Sequence, residues 1–398
     1  MDDQTVSEPF RLSRGGIFYR LMLRTRLVEE DRYHEWRGIA VLVGLTWLPL
    51  SILATLAGAL SGSDIGLPFF SDPGPYAKYL FALPLLIAAD RIIDPLVALV
   101  VNHIEVSGVL PEEARPRYRA ALTEMTRRRD SVWVEAVFII LALSLSCALI
   151  LGYGDIGLEE GVSSWAWTVT GQEHRPTPAG WWYLLISGPF LQFLIYRWFW
   201  RLVIWFGFLY RVSRIRLALR ATHSDLAGGL GILSTGQNAF VVLFVAIAAV
   251  LSSELANDIL FEGCTLTELR MEIIGFVILC VAVIVGPLFF FLGTLKKAKQ
   301  RGLQQYEPLG YQLSKTFHAK WIRGVSLEQK GELMDTAGPS AIADFSAVYD
   351  NVSSMRLVPL NPRSTILLAA ILLAPFLPLA LTEFSFTEAL KRIGEMLV

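Results

Sequence analysis

Apolar residues in this sequence are gathered into blocks of about the length that crosses a ~30 Å hydrocarbon core as a helix. Seven such blocks occupy 39–60, 79–101, 131–153, 181–203, 239–256, 271–294 and 364–382. In lipid a chain must satisfy its backbone hydrogen bonds within each segment, which points to an all-α fold, a polytopic transmembrane helix bundle of about seven spans. The composition agrees: 54% hydrophobic and 18% charged residues, with a mean hydropathy of +0.48, against about 45–50% and about 25% in an average soluble domain. A soluble enzyme, a nucleic-acid binder and a disordered scaffold are thereby excluded. The fifth block has an unbroken core only from Phe240 to Leu251, so it spans only if Ser252, Ser253 and Glu254 reach toward the interface. The fourth runs on to Tyr210, about 45 Å from Trp181 at 1.5 Å per residue, and is expected to project beyond the membrane on its basic side.

Lys and Arg set the expected orientation. With the N-terminus cytoplasmic, segments 1–38, 102–130, 211–238 and 295–363 hold 27 of the 35 basic residues, and the opposite side holds five. The C-terminus then lies outside. This divides the chain into an Arg-rich N-terminal segment (1–38), a six-span bundle (39–294) carrying the loop 211–238, a cytoplasmic helical segment (295–363), and a last span with an amphipathic tail (364–398). A helical stretch is expected over Lys296–Arg323, a break at Gly338–Pro339, and a further helix around Ala341–Val352. The polar N-terminus predicts no cleavable signal peptide. The net charge of -1 selects no anionic partner, and Cys147, Cys264 and Cys280 have neither disulfide-framework nor zinc spacing.

Ionisable residues inside the blocks are the candidates for function, because hydrocarbon makes them costly to keep. Asp90 and Asp94 are four apart and share a helix face, with Arg91 displaced and Pro95 just beyond. At 1.5 Å per residue, Asp94, Glu135 and Arg197 fall at one level, about 22–24 Å below the outer surface. Arg201 lies one turn deeper than Arg197. These six residues are expected to form a charge network that lines a permeation route or locks three helices together. For Arg201 the competing expectation is snorkelling to the cytoplasmic headgroups. For Trp198, Phe199, Trp200 and Trp205, it is the ordinary interfacial preference of aromatic residues.

After the fourth block, arginines at helical spacing (Arg211, Arg214, Arg216, Arg220) run into His223-Ser-Asp225 and then Gly228, Gly229 and Gly231. Such a stretch reads as a helix C-terminus followed by a glycine turn. Its free N–H groups can cradle an anion, His223 and Asp225 can ligate a metal or relay a proton, and the arginines can meet anionic lipid headgroups. No third metal ligand accompanies the pair, so no metal and no cofactor is assigned. His223-Ser-Asp225-Leu-Ala-Gly228-Gly229-Leu-Gly231-Ile-Leu resembles a His-Pro-Asp…Gly-Gly-Leu-Gly-Phe-Leu segment in a family of bacterial multi-pass membrane proteins, with Ser224 where proline is usual. Ala298-Lys-Gln-Arg-Gly-Leu, Ala341-Ile-Ala-Asp344-Phe-Ser, Met355-Arg356 with Pro359, and the proline-rich last span with its Glu388-Ala-Leu-Lys391 tail are similar too. The resemblance covers roughly the C-terminal half and implies a bacterial inner membrane, with no activity attached.

Hydrolase, zincin, Walker and haem motifs are absent from the sequence, so no catalytic set is named. An ion channel or transporter built on the charge network is the leading expectation. A membrane-embedded sensor or assembly scaffold, binding a cytoplasmic partner through 295–363 and the His223 loop, comes second. An intramembrane lipid enzyme comes third. Small residues Ala246, Ala249 and Ser253 would let another helix approach, so a homo-oligomer is also expected.

Overall fold

Two helices carry the apolar stripes around which the others pack. The structure, a computed structural model, describes residues 10–26, 35–61, 67–150, 164–170, 173–323 and 338–383. In α3 (Leu83–Val106), Leu86, Ala89, Ile93, Val97, Val100 and Ile104 recur at three- and four-residue steps and are buried. In α6 (Gly188–Ser213), Leu191, Leu194, Trp198, Arg201, Trp205, Phe208 and Val212 do the same. That spacing keeps one face of a helix turned inward along its whole length. Both helices are entered through wider, π-helical turns, Tyr76–Ala82 and Tyr183–Ser187.

The remaining helices are α1 (Gly16–Arg24), α2 (Glu35–Ser61), α4 (Arg115–Arg129), α5 (Val132–Ile150), α7 (Ile232–Asn238), α8 (Val241–Phe261), α9 (Leu266–Val285), α10 (Leu292–His318), α11 (Gly338–Ser353), α12 (Pro362–Leu373) and α13 (Leu377–Glu383). Their starts follow local chemistry. Thr265 and Glu268 form a reciprocal capping box on α9, and the Asn361 side chain accepts from the Arg363 N–H at the head of α12. A short antiparallel hairpin, β1 (Trp167–Thr170) with β2 (Glu173–Pro176), pairs Trp167 with Pro176.

Among the described residues, five helical stretches are long and apolar enough to cross a membrane: Trp36–Gly58, Val132–Ile150, Ile232–Phe261, Leu266–His318 and Pro362–Ala380. The expected spans 79–101 and 181–203 are helical but lie outside that set. Exposed Leu45, Leu48 and Ile52 on α2, Val137 and Ile140 on α5, and Ile274 and Ile278 on α9 form an apolar surface. A soluble monomer rarely shows so much, and it suits contact with lipid. Ala246, Ala249 and Ser253, by contrast, are buried within the chain. The small-residue face expected to receive a second copy is covered by the protein's own helices, which removes that argument for an oligomer.

The basic segments meet at one end of the bundle. Arg129 Nη1 donates to Arg11 O at 2.6 Å, Ala218 N to Val109 O at 2.8 Å, Arg356 N to Leu226 O at 2.7 Å, and Lys299 Nζ to Met355 O at 2.9 Å. At the other end the Asp72 carboxylate accepts from Gly74 N, Trp165 Nε1 and Asn257 Nδ2 at 2.7, 2.8 and 3.1 Å. Lys78 Nζ lies 2.6 Å from Glu254 Oε1 there, the acid whose passage to the interface span five requires. Expected helices over Lys296–Arg323 and around Ala341–Val352 correspond to α10, with a π-helical turn Ala319–Arg323, and to α11. The tail Thr387–Val398 lies outside the described residues.

Buried Gln237 joins three helices. Its Oε1 accepts from Trp205 Nε1 at 2.6 Å, and its Nε2 donates to Ile284 O at 2.7 Å. That carbonyl needs an outside donor: the chain tightens into a 3₁₀ turn at Gly286–Phe291, and Pro287 lacks the N–H that would reach back to it. Gln237→Leu therefore strands a buried donor and a buried acceptor together. A loss of about 2–6 kcal/mol is expected, at about 1–3 kcal/mol per unsatisfied group, read from thermal unfolding of the purified protein in one detergent.

Candidate functional site

The structure brings Asp90, Asp94, Glu135, Arg197 and Arg201 together around a segment to which sequence spacing does not point. Ser13, Arg14 and Gly15, immediately before α1, and Gly16 at its start lie between the acids of α3 and α5 and the arginines of α6. On the acidic side, the Ser13 N–H donates to Asp94 Oδ1 at 2.9 Å and its hydroxyl donates to Asp94 Oδ2. Glu135 Oε2 accepts from the N–H groups of Ile17 and Phe18 at 2.5 and 3.0 Å. That carboxylate thus caps the first turn of α1, where the helix dipole is positive. On the basic side, Ser13 O accepts from Arg201 Nη2, and Gly15 O accepts from Arg197 Nη2 at 3.2 Å.

Direct ion pairs complete the set. Arg197 Nε lies 3.1 Å from Glu135 Oε1, with both side chains under 9% exposed, and Arg201 Nη1 lies 3.6 Å from Asp90 Oδ1. The Arg197 guanidinium sits 4.9 Å over the Phe18 ring, and that of Arg201 the same distance over Trp198. Three acids face two bases here. The N–H groups at the head of α1 and the two donors of Ser13 supply the positive character that the arginines alone leave short.

Several expectations are corrected by this arrangement. Asp94 and Arg197 do not pair directly; Ser13 stands between them. Arg201 does not snorkel: it is 3% exposed and held by Ser13 O and Asp90. Trp198 and Trp205 are not interfacial but buried, and Trp198 Nε1 donates to Leu86 O at 2.8 Å. Arg91, expected within the network, is exposed, because its displacement on the helix turns it away from the face that Asp90 and Asp94 share. The signal that would have found the missing piece is Gly15-Gly16 ahead of an apolar–basic helix. Gly16 has φ +84°, and a Cβ there would lie 2.1 Å from Glu135 Oε1, so only glycine lets the backbone come this close.

The His223 loop is also built differently from its expected form. The helix ends at Ser213, and the chain from Arg216 to Arg220 is extended, not helical. The deciding pattern has period two: Ile215, Leu217, Leu219 and Ala221 turn inward, while Arg214, Arg216, Ala218 and Arg220 are exposed. Ala218 N and Arg220 N then donate to Val109 O and Gly228 O. The glycine N–H groups do form an anion cradle, but its occupant is Asp225. Oδ1 accepts from Ala227 N at 2.8 Å, and Oδ2 accepts from Gly229 N and Gly231 N at 3.1 and 2.8 Å. His223 Nδ1 lies 2.9 Å from Oδ1. Gly229 adopts φ +96°, and a side chain there would strike Val109. His103 Nε2 is 3.3 Å from Gly229 O, so this histidine braces the loop and does not join the charged layer. Among the described residues no group of three His, Cys, Asp or Glu is placed to hold a metal.

No family model matches the chain, and no curated protein or solved structure matches it either.

Two outcomes follow. Gly16→Ala forces a Cβ into Glu135 and keeps a residue in the left-handed region, at about 1–3 kcal/mol for the backbone alone. The N-terminal segment should detach, and trypsin cleavage after Arg20 and Arg24 should accelerate at least about tenfold by mass spectrometry. In the loop, burial raises the Asp225 pKa, but the Ala227, Gly231 and Gly229 N–H groups and His223 outweigh it, so the net shift is downward. A depressed folded pKa contributes stability above the unfolded value and loses it as pH falls through the folded one. Asp225→Asn should cost about 1–3 kcal/mol near neutrality. The gap between variant and parent in thermal unfolding should stay level down to about pH 5 and close below about pH 4.

Proposed function

We propose that this chain is an ion channel or transporter of the bacterial inner membrane. Its N-terminus and basic segments lie on the cytoplasmic side, with seven crossings and an outer C-terminus. Asp90, Asp94, Glu135, Arg197 and Arg201 form the ion-handling centre, and residues 10–24 act as its plug. One observation carries the reading: the inserted peptide meets both signs of charge at once, with N–H and O–H groups on Asp94 and Glu135 and carbonyls on Arg197 and Arg201. A cation arriving at Asp94 would take the place of the Ser13 donors; an anion arriving at Arg197 and Arg201 would take the place of the Ser13 and Gly15 carbonyls. Meeting of the basic segments at one end of the bundle supports the orientation. The second reading, a sensor or scaffold, is favoured by the way α10 and α11 join the His223 loop through Lys299, Met355 and Arg356.

Flux through proteoliposomes separates the two. The full chain should conduct poorly, a chain lacking residues 1–24 or carrying Gly16→Ala should conduct at least about tenfold faster, and adding Asp94→Asn to either should return flux to the empty-vesicle rate. Flux equal to empty vesicles in all of them, with folding shown by gel filtration, would overturn the transport reading in favour of the scaffold.

A further inference from the structure

A cleft of about 830 Å³ opens where the extended segment after α6 faces the start of α10. Arg214, Arg216 and Arg220 line one wall, and Lys297 and Arg301 line the other. No aspartate or glutamate lines it, and among the described residues none of the five cations has a carboxylate within 4 Å. By contrast, Arg127, Arg128 and Arg211 at the same end share Glu124, and Arg115 meets Glu112. Five unopposed cations in one concavity repel one another and are stabilised by an anion. Lys297 and Arg301 are one helical turn apart, and Arg216 and Arg220 are four apart along extended chain, so each wall presents a pair on the same side. The walls come together where Gly302 touches Ala221; a Cβ on Gly302 would lie only 2.5 Å from the Ala221 Cβ.

The other end of the cleft is aromatic. Phe289 and Phe290 are 53% and 40% exposed, Tyr210 packs edge-on against Phe290, and Arg214 both stacks on Tyr210 and donates to its hydroxyl at 3.1 Å. These rings prolong the apolar outer face of α9, whose exposed Ile274 and Ile278 suit lipid. Counted along the helix at 1.5 Å per residue, Lys297 lies about 10 Å and Arg301 about 16 Å beyond Phe290. A ligand filling the cleft therefore meets apolar surface first and concentrated positive charge about one headgroup's depth further on. A free anion has no use for the aromatic end, and a neutral lipid has none for the basic end.

We propose that this cleft is a binding site for an anionic phospholipid carrying more than one negative charge. Its phosphates lie among Arg216, Arg220, Lys297 and Arg301, and its acyl chains lie over Phe289 and Phe290. None of the residues assigned to the phosphates or the acyl chains belongs to the charge network, and occupancy of the cleft does not depend on what that network transports.

Native mass spectrometry of the full-length protein in detergent tests this with three probes: cardiolipin, phosphatidylcholine and inorganic pyrophosphate. One cardiolipin should bind saturably, phosphatidylcholine should not, and pyrophosphate should bind far more weakly. Lys297→Gln/Arg301→Gln should weaken cardiolipin about 20- to 30-fold, at about fivefold per basic residue near a lipid surface, and Phe289→Ala/Phe290→Ala should weaken cardiolipin but not pyrophosphate. Lys315→Gln, further along α10 and outside the cleft, should change nothing. Equal binding of pyrophosphate and cardiolipin would make the occupant a free polyanion and overturn the lipid assignment. Cardiolipin binding untouched by the paired substitutions, or by raising salt on the unmodified protein should a variant fail to fold, would overturn the site itself.

Discussion

Carboxylates and guanidinium groups inside a bundle are tolerable only if each finds a partner, since the cost of leaving one bare in low dielectric exceeds most other terms in folding. In this protein the acids of α3 and α5 and the arginines of α6 do not fully answer one another. Asp94 reaches no arginine directly, and Arg201 meets Asp90 only at 3.6 Å. The deficit is made up by a stretch of backbone. Peptide groups carry a donor and an acceptor on opposite edges, so one strand of chain laid between opposite charges satisfies both. That role explains why Ser13 is buried in a segment whose neighbours are arginines, and why two glycines follow it.

The helical architecture, the basic segments and the charged level were all legible in the sequence, because each rests on a regular signal: block length, Lys/Arg count, or rise per residue. That Asp90 and Asp94 share a face follows from helical geometry alone, whereas Arg91, expected beside them in the network, turns outward. What was not legible depended on contacts between residues far apart in the chain. Ser13 is 81 residues from Asp94 and 188 from Arg201, and nothing local marks it. Arg201 stays in the network for a related reason. Depth alone leaves open an escape to the interface, whereas a carbonyl of the N-terminal segment accepts from it and holds it inside.

The stretch after α6 shows two periodicities competing in one segment. Arg216 and Arg220 are four apart, which suits a helix, and the intervening apolar residues alternate, which suits an extended strand. The alternation wins because Leu217 and Leu219 have a core to enter, and because Val109 and Gly228 offer carbonyls to the N–H groups on the other edge. The same competition decides the glycine loop. Its N–H groups converge as an anion site requires, but a carboxylate two to six residues away reaches them before any ligand in solution can. Built-in occupancy makes the loop a rigid platform for α10 and α11, and leaves the neighbouring arginines unclaimed.

The inserted segment also bears on how such a protein comes to be made. Translation delivers Ser13 to Phe18 ahead of the cradle that receives them, which is finished only when α6, almost two hundred residues later, has been made. Until then the acids of α3 and α5 lack the backbone donors and arginines that answer them. Closure of this latch therefore waits on α6.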